Sequence, residues 1–329
     1  MRSFSRRPLL VGPPALAVAL ATLAGLTAGC ALDTSDGDAE PGSLAETASL
    51  DGASFTVGSK EFTEQLVLCQ ITGLALRSAG ADVSEECGLQ GSNTTRGALE
   101  SGDIDMYWEY TGTAWINFLG HTEPIDDAAE QYASAASEDL EQNEIAWLTP
   151  APANNTYAIV VKTSTAEELG VASLSDYAEL VADDPGQASL CIASEFAGRD
   201  DGLPGLEEAY GFHVPDGDLA TLAEGAIYNA VADNDPCNFG EAATTDGRIE
   251  ALDLTVLTDD RSFFPVYNPA LTVRASVLEE YPDLEGIFEA IAPALTDEVL
   301  QGLNARVDID GEEPTDVARD WLQQEGFIG

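Results

Sequence analysis

The stretch of this 329-residue chain best equipped for chemistry is Gly102–Thr113, GDIDMYWEYTGT. Tyr107, Trp108 and Tyr110 fall within four residues, among the acids Asp103, Asp105 and Glu109, and a Thr-Gly-Thr turn follows. Aromatic faces attract positive charge through the ring quadrupole and need no hydrogen bond in return, which suits an organic cation. Rings at this spacing also pack cores, so the motif needs support from elsewhere. Lysine is scarce: the chain has two, Lys60 and Lys162. Lys60 stands between a short strand and a helix N-terminus, where an anion is already favoured. Lys162 reads as a solvated surface charge. The two histidines, His121 and His213, have no nucleophile signature beside them, and no cysteine or histidine cluster has zinc spacing. Acid pairs such as Asp200-Asp201 and Asp259-Asp260 are expected by chance in so acidic a chain. Neither catalysis, a metal nor a cofactor is called for.

These residues need a scaffold. Phe55-Thr56-Val57 reads as a strand, and apolar Phe62, Leu66, Ile71, Leu74 and Ala75 give 61–79 helical spacing. Strands are expected at Asp82-Val83, Ile104–Tyr107, Ile145–Leu148 and Thr156–Val161, with helices over 92–100, 111–119 and 126–140. The second half continues with strands at 190–192, 254–257 and 270–273, helices at 205–210 and 225–232, and helix from Ala275 nearly to the end. Alternating strands and helices mean an α/β architecture.

The N-terminus addresses the chain. Three arginines lie in Met1–Arg7, an apolar stretch runs from Pro8 to Ala28, and Leu26-Thr27-Ala28-Gly29-Cys30 closes it. A basic region, an apolar region and small residues before a cut describe an export signal. The ending resembles a bacterial lipobox, which makes 1–29 the signal peptide and Cys30 the lipidated first residue. Residues 30–53, rich in Asp, Glu, Ser, Gly and Ala without apolar periodicity, read as a flexible acidic tether. The folded part is expected from Ser54.

With 13 basic and 59 acidic residues the net charge is −46, and loss of the three signal arginines takes it to −49. Nucleic acid and anionic lipid surfaces are poor partners for such a chain. Cys69, Cys87, Cys191 and Cys237 remain after Cys30. Four cysteines in an exported protein allow three pairings; 69–87 with 191–237 keeps each bond within one half of the chain.

Seven stretches resemble one family: VGSKEFTEQ (57–65), GDIDMYWEYTGTAW (102–115), NNTYAIVV (154–161), DGLPGLEEAYGF (201–212), TTDGRI (244–249), LTDDRSFFPVYNPALTVR (257–274) and LNARVDIDG (303–311). The family comprises substrate-binding lipoproteins of ABC importers for quaternary ammonium osmoprotectants such as glycine betaine, choline and carnitine. The resemblance implies a two-lobed periplasmic-binding-protein fold of type II, its lobes joined by two crossover segments. Lobe I would be 54–155 plus 268–329, and lobe II 156–267. It implies an aromatic cage at Tyr110, Tyr157 and Tyr267, and carboxylate contacts at Lys60, Thr113 and Arg199. A fourth family aromatic falls on Ala243, which leaves one wall open unless Trp108 or Tyr228 fills it. Implied partners are an ABC permease, its ATPase and, through the lipid, the outer face of the cell membrane, with the protein a monomer. A lipid-anchored sensor, or a binder of a different zwitterion, would use the same scaffold.

Overall fold

The computed structural model describes residues 39–125 and 127–329. The expected signal peptide, Cys30 and the start of the tether lie outside the described residues. Among the described residues ten strands form two five-stranded sheets. The first contains β1 (Ser54–Lys60), β2 (Asp82–Leu89), β3 (Met106–Tyr110) and β4 (Ile145–Pro150). The second contains β5 (Tyr157–Lys162), β6 (Leu190–Ile192), β7 (Leu219–Thr221), β8 (Phe239–Ala243) and β9 (Leu254–Val256). Then β10 (Pro269–Arg274) returns to the first sheet. The orders are β2-β1-β3-β10-β4 and β7-β6-β8-β5-β9. Strand β1 runs parallel to β2 and β3, and β10 antiparallel to β3 and β4. In the second sheet β6 is parallel to β7 and β8, while β5 is antiparallel to β8 and β9. The expected two-lobed α/β architecture is present.

The first lobe is built on the helix Thr63–Ser78, whose Val67, Leu68, Ile71, Leu74 and Ala75 are fully buried. Trp108 of β3 packs in the same core, its ring edge-on to Phe288 and its Nε1 donating to Thr72 Oγ1 at 2.8 Å. The C-terminal helices Leu284–Ile291 and Pro314–Gln324 complete that core. In the second lobe Tyr177, Phe212 and Phe239 form an aromatic cluster at 4.7–5.4 Å between ring centroids.

The chain crosses between sheets twice, after β4 and after β9, and the crossings run side by side. Ala151 N–H donates to Pro269 O at 2.8 Å and Asn155 N–H to Tyr267 O at 3.2 Å, while Asn154 Oδ1 accepts from Tyr267 N–H at 2.8 Å.

Several elements depart from the sequence expectation, among them the helices Thr163–Leu169 and Leu174–Asp183 and strand β7, which the sequence pattern did not signal. The stretch to Ala53 is not all tether: Ser43–Thr47 is helical, Leu44 and Leu50 are buried in the first core, and Pro41 bridges Ile328. Two leucines in a polar run carry too little periodicity to be noticed, yet their burial ties the start of the described chain to its end. Strand β8 was unforeseen as well, because FGEAA lacks the β-branched residues that mark strands.

Disulfides join Cys69 to Cys87 and Cys191 to Cys237, each within one lobe. The first fastens the helix Thr63–Ser78 to β2. With its ends 18 positions apart in sequence, a C69A/C87A variant should lose about 3 kcal/mol in the loop-entropy model. Equilibrium denaturation of the two forms would measure the loss, and equal midpoints would contradict it.

Candidate functional site

The cage and contact residues predicted from sequence come from separate places in the chain and meet in one cleft. Lys60 ends β1, Tyr110 ends β3, Tyr157 opens β5 and Tyr267 lies two residues before the start of β10. Together with Thr113, Arg199 and Ala243 they line a cavity of about 540 Å³ between the sheets, within the range that small-molecule sites occupy. The carboxyl ends of parallel strands open there, as expected of such folds.

Each ring is held by its surroundings. Tyr157 meets Tyr267 edge to face, 5.6 Å between centroids at 75°. The Tyr267 hydroxyl donates to Asp201 Oδ2 at 2.6 Å, and the Tyr110 hydroxyl donates to Glu64 Oε1 at 2.8 Å. Gly112 of the Thr-Gly-Thr turn lies against Tyr267, where a Cβ would meet the ring at 2.8 Å. Only glycine lets the two approach so closely without one of them shifting.

Glu64 was not anticipated as a site-supporting residue. It is buried in the first turn of Thr63–Ser78, where the helix dipole favours an acid. Besides Tyr110 its carboxylate accepts from Asn155 Nδ2 at 2.9 Å, Thr245 Oγ1 at 2.5 Å and Asn304 Nδ2 at 3.1 Å. Burial pushes its pKa up while these four donors pull against the shift. The cluster links β3, the first crossing, the segment after β8 and the C-terminal helix Asp297–Asp308.

The expected carboxylate contacts are engaged but not exhausted. Lys60 Nζ donates to the buried Glu109 Oε1 at 2.7 Å, one of three N–H donors an ammonium carries. Arg199 holds Asp201 with Nε and Nη2 at 2.6 and 2.5 Å, and Glu195 with Nη1 at 2.8 Å. Its Nη2 also donates to Thr113 Oγ1 at 3.4 Å, and its guanidinium lies 5.5 Å from the Tyr157 ring centre. Burial opposes ionisation of Glu195, but Lys60, Arg199 and the donors of Ser92 hold its pKa down at about 2. Ser92 belongs to the first lobe and Glu195 to the second, so their 2.7 Å hydroxyl–carboxylate bond spans the cleft.

Two of the possible extra walls are elsewhere. Trp108 is closed in the first core, and Tyr228 is fully buried in the second lobe, where its hydroxyl accepts from Ala243 N–H at 3.1 Å. The added ring is Phe62, half-buried, lining the cleft and stacked on Tyr110 at 6.1 Å and 28°. Its helical spacing had suggested a core residue. Glu224 and Glu241 also line the cavity, and nothing distinguished them among 59 acids.

The remaining candidate chemistry lies outside the cleft. His121 stacks on Trp115 and pairs with Glu138, His213 pairs with Glu207, and Lys162 donates to Ala232 O. Among the described residues no group of three or more His, Cys, Asp or Glu could hold a metal ion, and no helix is long and apolar enough to cross a membrane.

Comparison with known proteins supplies the family. Residues 53–324 match the family described as the substrate binding domain of the ABC-type glycine betaine transport system. A glycine-betaine-binding protein of Pseudomonas aeruginosa is 40% identical over 277 residues, 83% of this chain and 88% of that protein. The glycine betaine-binding protein YehZ of Escherichia coli is 37% identical over 276 residues, covering 82% and 90% respectively. The solved structure of apo YehZ superposes with a TM-score of 0.63 over 84% of this chain and all of that one, at 35% identity. An ergothioneine transport permease/ergothioneine binding protein of Helicobacter pylori is 30% identical over 272 residues, 82% of this chain and 47% of that protein. The chain thus belongs to the family of substrate-binding domains of ABC-type glycine betaine transport systems.

Proposed function

We propose that this protein is a lipid-anchored receptor on the outer face of the cell membrane. It captures a quaternary ammonium osmoprotectant of the glycine betaine type between its lobes and delivers it to an ABC permease driven by an ATPase. It acts as a monomer, needs no cofactor and catalyses nothing. The lobes part at 155/156 and 267/268, so that the paired crossings serve as a hinge for closure.

The observation that carries this reading is the convergence of Tyr110, Tyr157 and Tyr267 on one cavity, with Phe62 stacked behind Tyr110. A trimethylammonium group has no donor to offer and is best held by ring faces. The carboxylate of a betaine needs donors on the other side. Lys60 has two N–H groups beyond its bond to Glu109, Arg199 has one beyond its four bonds, and the Thr113 hydroxyl is free to donate while accepting from Arg199.

Glycine betaine should therefore bind better than choline, which lacks the carboxylate, by about 1.5–3 kcal/mol, the contribution of one charge-assisted hydrogen bond. Calorimetric titration with glycine betaine, choline, carnitine, proline betaine and ectoine tests both points. Silence from all five at millimolar concentration would remove the osmoprotectant reading. Choline equal to glycine betaine would remove the carboxylate contacts alone.

A further inference from the structure

Glu109 stands at the centre of the aromatic motif, and the betaine reading gives it no part beyond its bond to Lys60. It follows Tyr107 by two residues on β3, so the two share one face of the strand, opposite Trp108 and Tyr110. Tyr107 packs there among Leu99, Ile145 and Trp147. Glu109 is 0% exposed and lies outside the cavity, whereas Lys60, 3% exposed, lines it. Three donors hold the carboxylate: Oε1 accepts from Lys60 Nζ and from the Tyr110 backbone N–H, and Oε2 from the Tyr107 hydroxyl, each at 2.7 Å. An acid sealed in such a layer costs desolvation that its partner barely offsets, so stability alone does not call for it.

Arg199 is arranged in the same way. Asp201, 3% exposed and outside the cavity, holds it from behind, and Glu195 of the cavity wall takes its Nη1. The two cations expected to meet the ligand carboxylate therefore stand against three acids. A carboxylate bonded to Lys60 Nζ would lie about 5 Å from that of Glu109, two hydrogen-bond lengths across one nitrogen. At that distance, in a site shielded from water, like charges repel strongly enough to offset much of what the ammonium attracts.

Resting on the betaine reading, we propose that Glu109 is the charge-selectivity residue of the cleft. It neutralises Lys60 before a ligand arrives, so a carboxylate alone is not held. It also keeps the ammonium from repelling a cation in the tyrosine cage, because Lys60 Nζ lies only 5.1 Å from the ring centre of Tyr110. A ligand then needs both of its ends: zwitterions enter and monoanions do not.

Glu109→Gln isolates the charge: the amide oxygen still accepts from the Tyr110 N–H and Lys60, and the amide nitrogen donates to the Tyr107 oxygen. The test titrates the protein with glycine betaine, with choline, which lacks the carboxylate, and with tert-butylacetate, which has carbon in place of the quaternary nitrogen. In Glu109→Gln the ratio of glycine betaine to choline affinity should rise about 10- to 100-fold, the range of one charge-assisted hydrogen bond, and tert-butylacetate should begin to bind. A ratio that stays level or falls would overturn this inference and leave the betaine reading standing. Lys60→Met/Glu109→Gln decides the matter if the single variant does not fold, because exchanging both partners of a buried pair is often neutral for stability. It should bind choline as the wild type does, lose less than about tenfold for glycine betaine and ignore tert-butylacetate. Choline bound more tightly by this double variant would show that Lys60 repels the cation in spite of Glu109, which would overturn the inference as well. Failure of the wild-type protein to bind either glycine betaine or choline would overturn the betaine reading and this inference with it.

Discussion

Replacing Arg199 by alanine should cost the fold about 3–5 kcal/mol, the usual penalty when one partner of a buried ion pair is removed. Arg199 and Asp201 are both at least 95% buried, and Arg199 neutralises Asp201 through two parallel bonds while also reaching Glu195. Without the guanidinium, Asp201 would keep only the hydroxyl of Tyr267 against the desolvation of a full charge. Arg199→Lys should be intermediate, because an ammonium keeps the charge but cannot reproduce the planar fork. The pairing of Arg306 with Glu312 and Asp320 lies at the surface, and Arg306→Ala should cost no more than about 1 kcal/mol. Urea denaturation of the three variants decides the matter; an Arg199→Ala loss as small as that of Arg306→Ala would show that the buried pair is not what holds this edge of the cleft. On the protein that remains folded, Arg199→Ala should weaken glycine betaine by ~1.5–3 kcal/mol and leave choline little changed. Equal losses for both ligands would refute the carboxylate assignment.

A Tyr157→Ala/Tyr267→Ala double variant should weaken every quaternary ligand, choline included, by about 4 kcal/mol, since each desolvated cation–π contact contributes ~2 kcal/mol. That is roughly a thousandfold in affinity. The Tyr→Phe pair is the control. It keeps both ring faces but removes the hydroxyl that Tyr267 donates to Asp201, so binding should survive. Calorimetry separates the outcomes: near-wild-type affinity in the alanine pair would mean the cation sits elsewhere in the cleft, and loss in the phenylalanine pair would mean the hydroxyls, not the faces, bind the ligand.

The legible parts of this chain are those where chemistry is concentrated in contiguous motifs. Tyr110, Tyr157, Tyr267, Lys60, Thr113 and Arg199 stand in short stretches of distinctive composition, and all six line one cavity. Trp108 was harder to place because it shares a strand face with Tyr110. Two residues of strand rise, roughly 7 Å, separate a ring at the mouth of the cleft from one sealed against Thr72 and Phe288. Phe62 was hidden by the opposite ambiguity: its position continues the apolar spacing of the helix that it precedes, yet it stacks on the cage. Glu224 and Glu241 are invisible in a sequence where acids are everywhere; what sets them apart is their place on the cavity wall, a property of the fold. Strand β8, which carries Glu241 and Ala243, has glycine, glutamate and alanine where strand propensity looks for branched and aromatic side chains. It becomes a strand because β5 and β6 pair with it on either side.

The central claim is the position of the cation. A crystal structure of the protein with bound glycine betaine tests it most directly: the quaternary nitrogen should lie within about 6 Å of the ring centres of Tyr110, Tyr157 and Tyr267, with the ligand carboxylate facing Lys60, Thr113 and Arg199. A ligand bound with its nitrogen away from those rings, or with its carboxylate turned towards Glu224 and Glu241, would contradict the account.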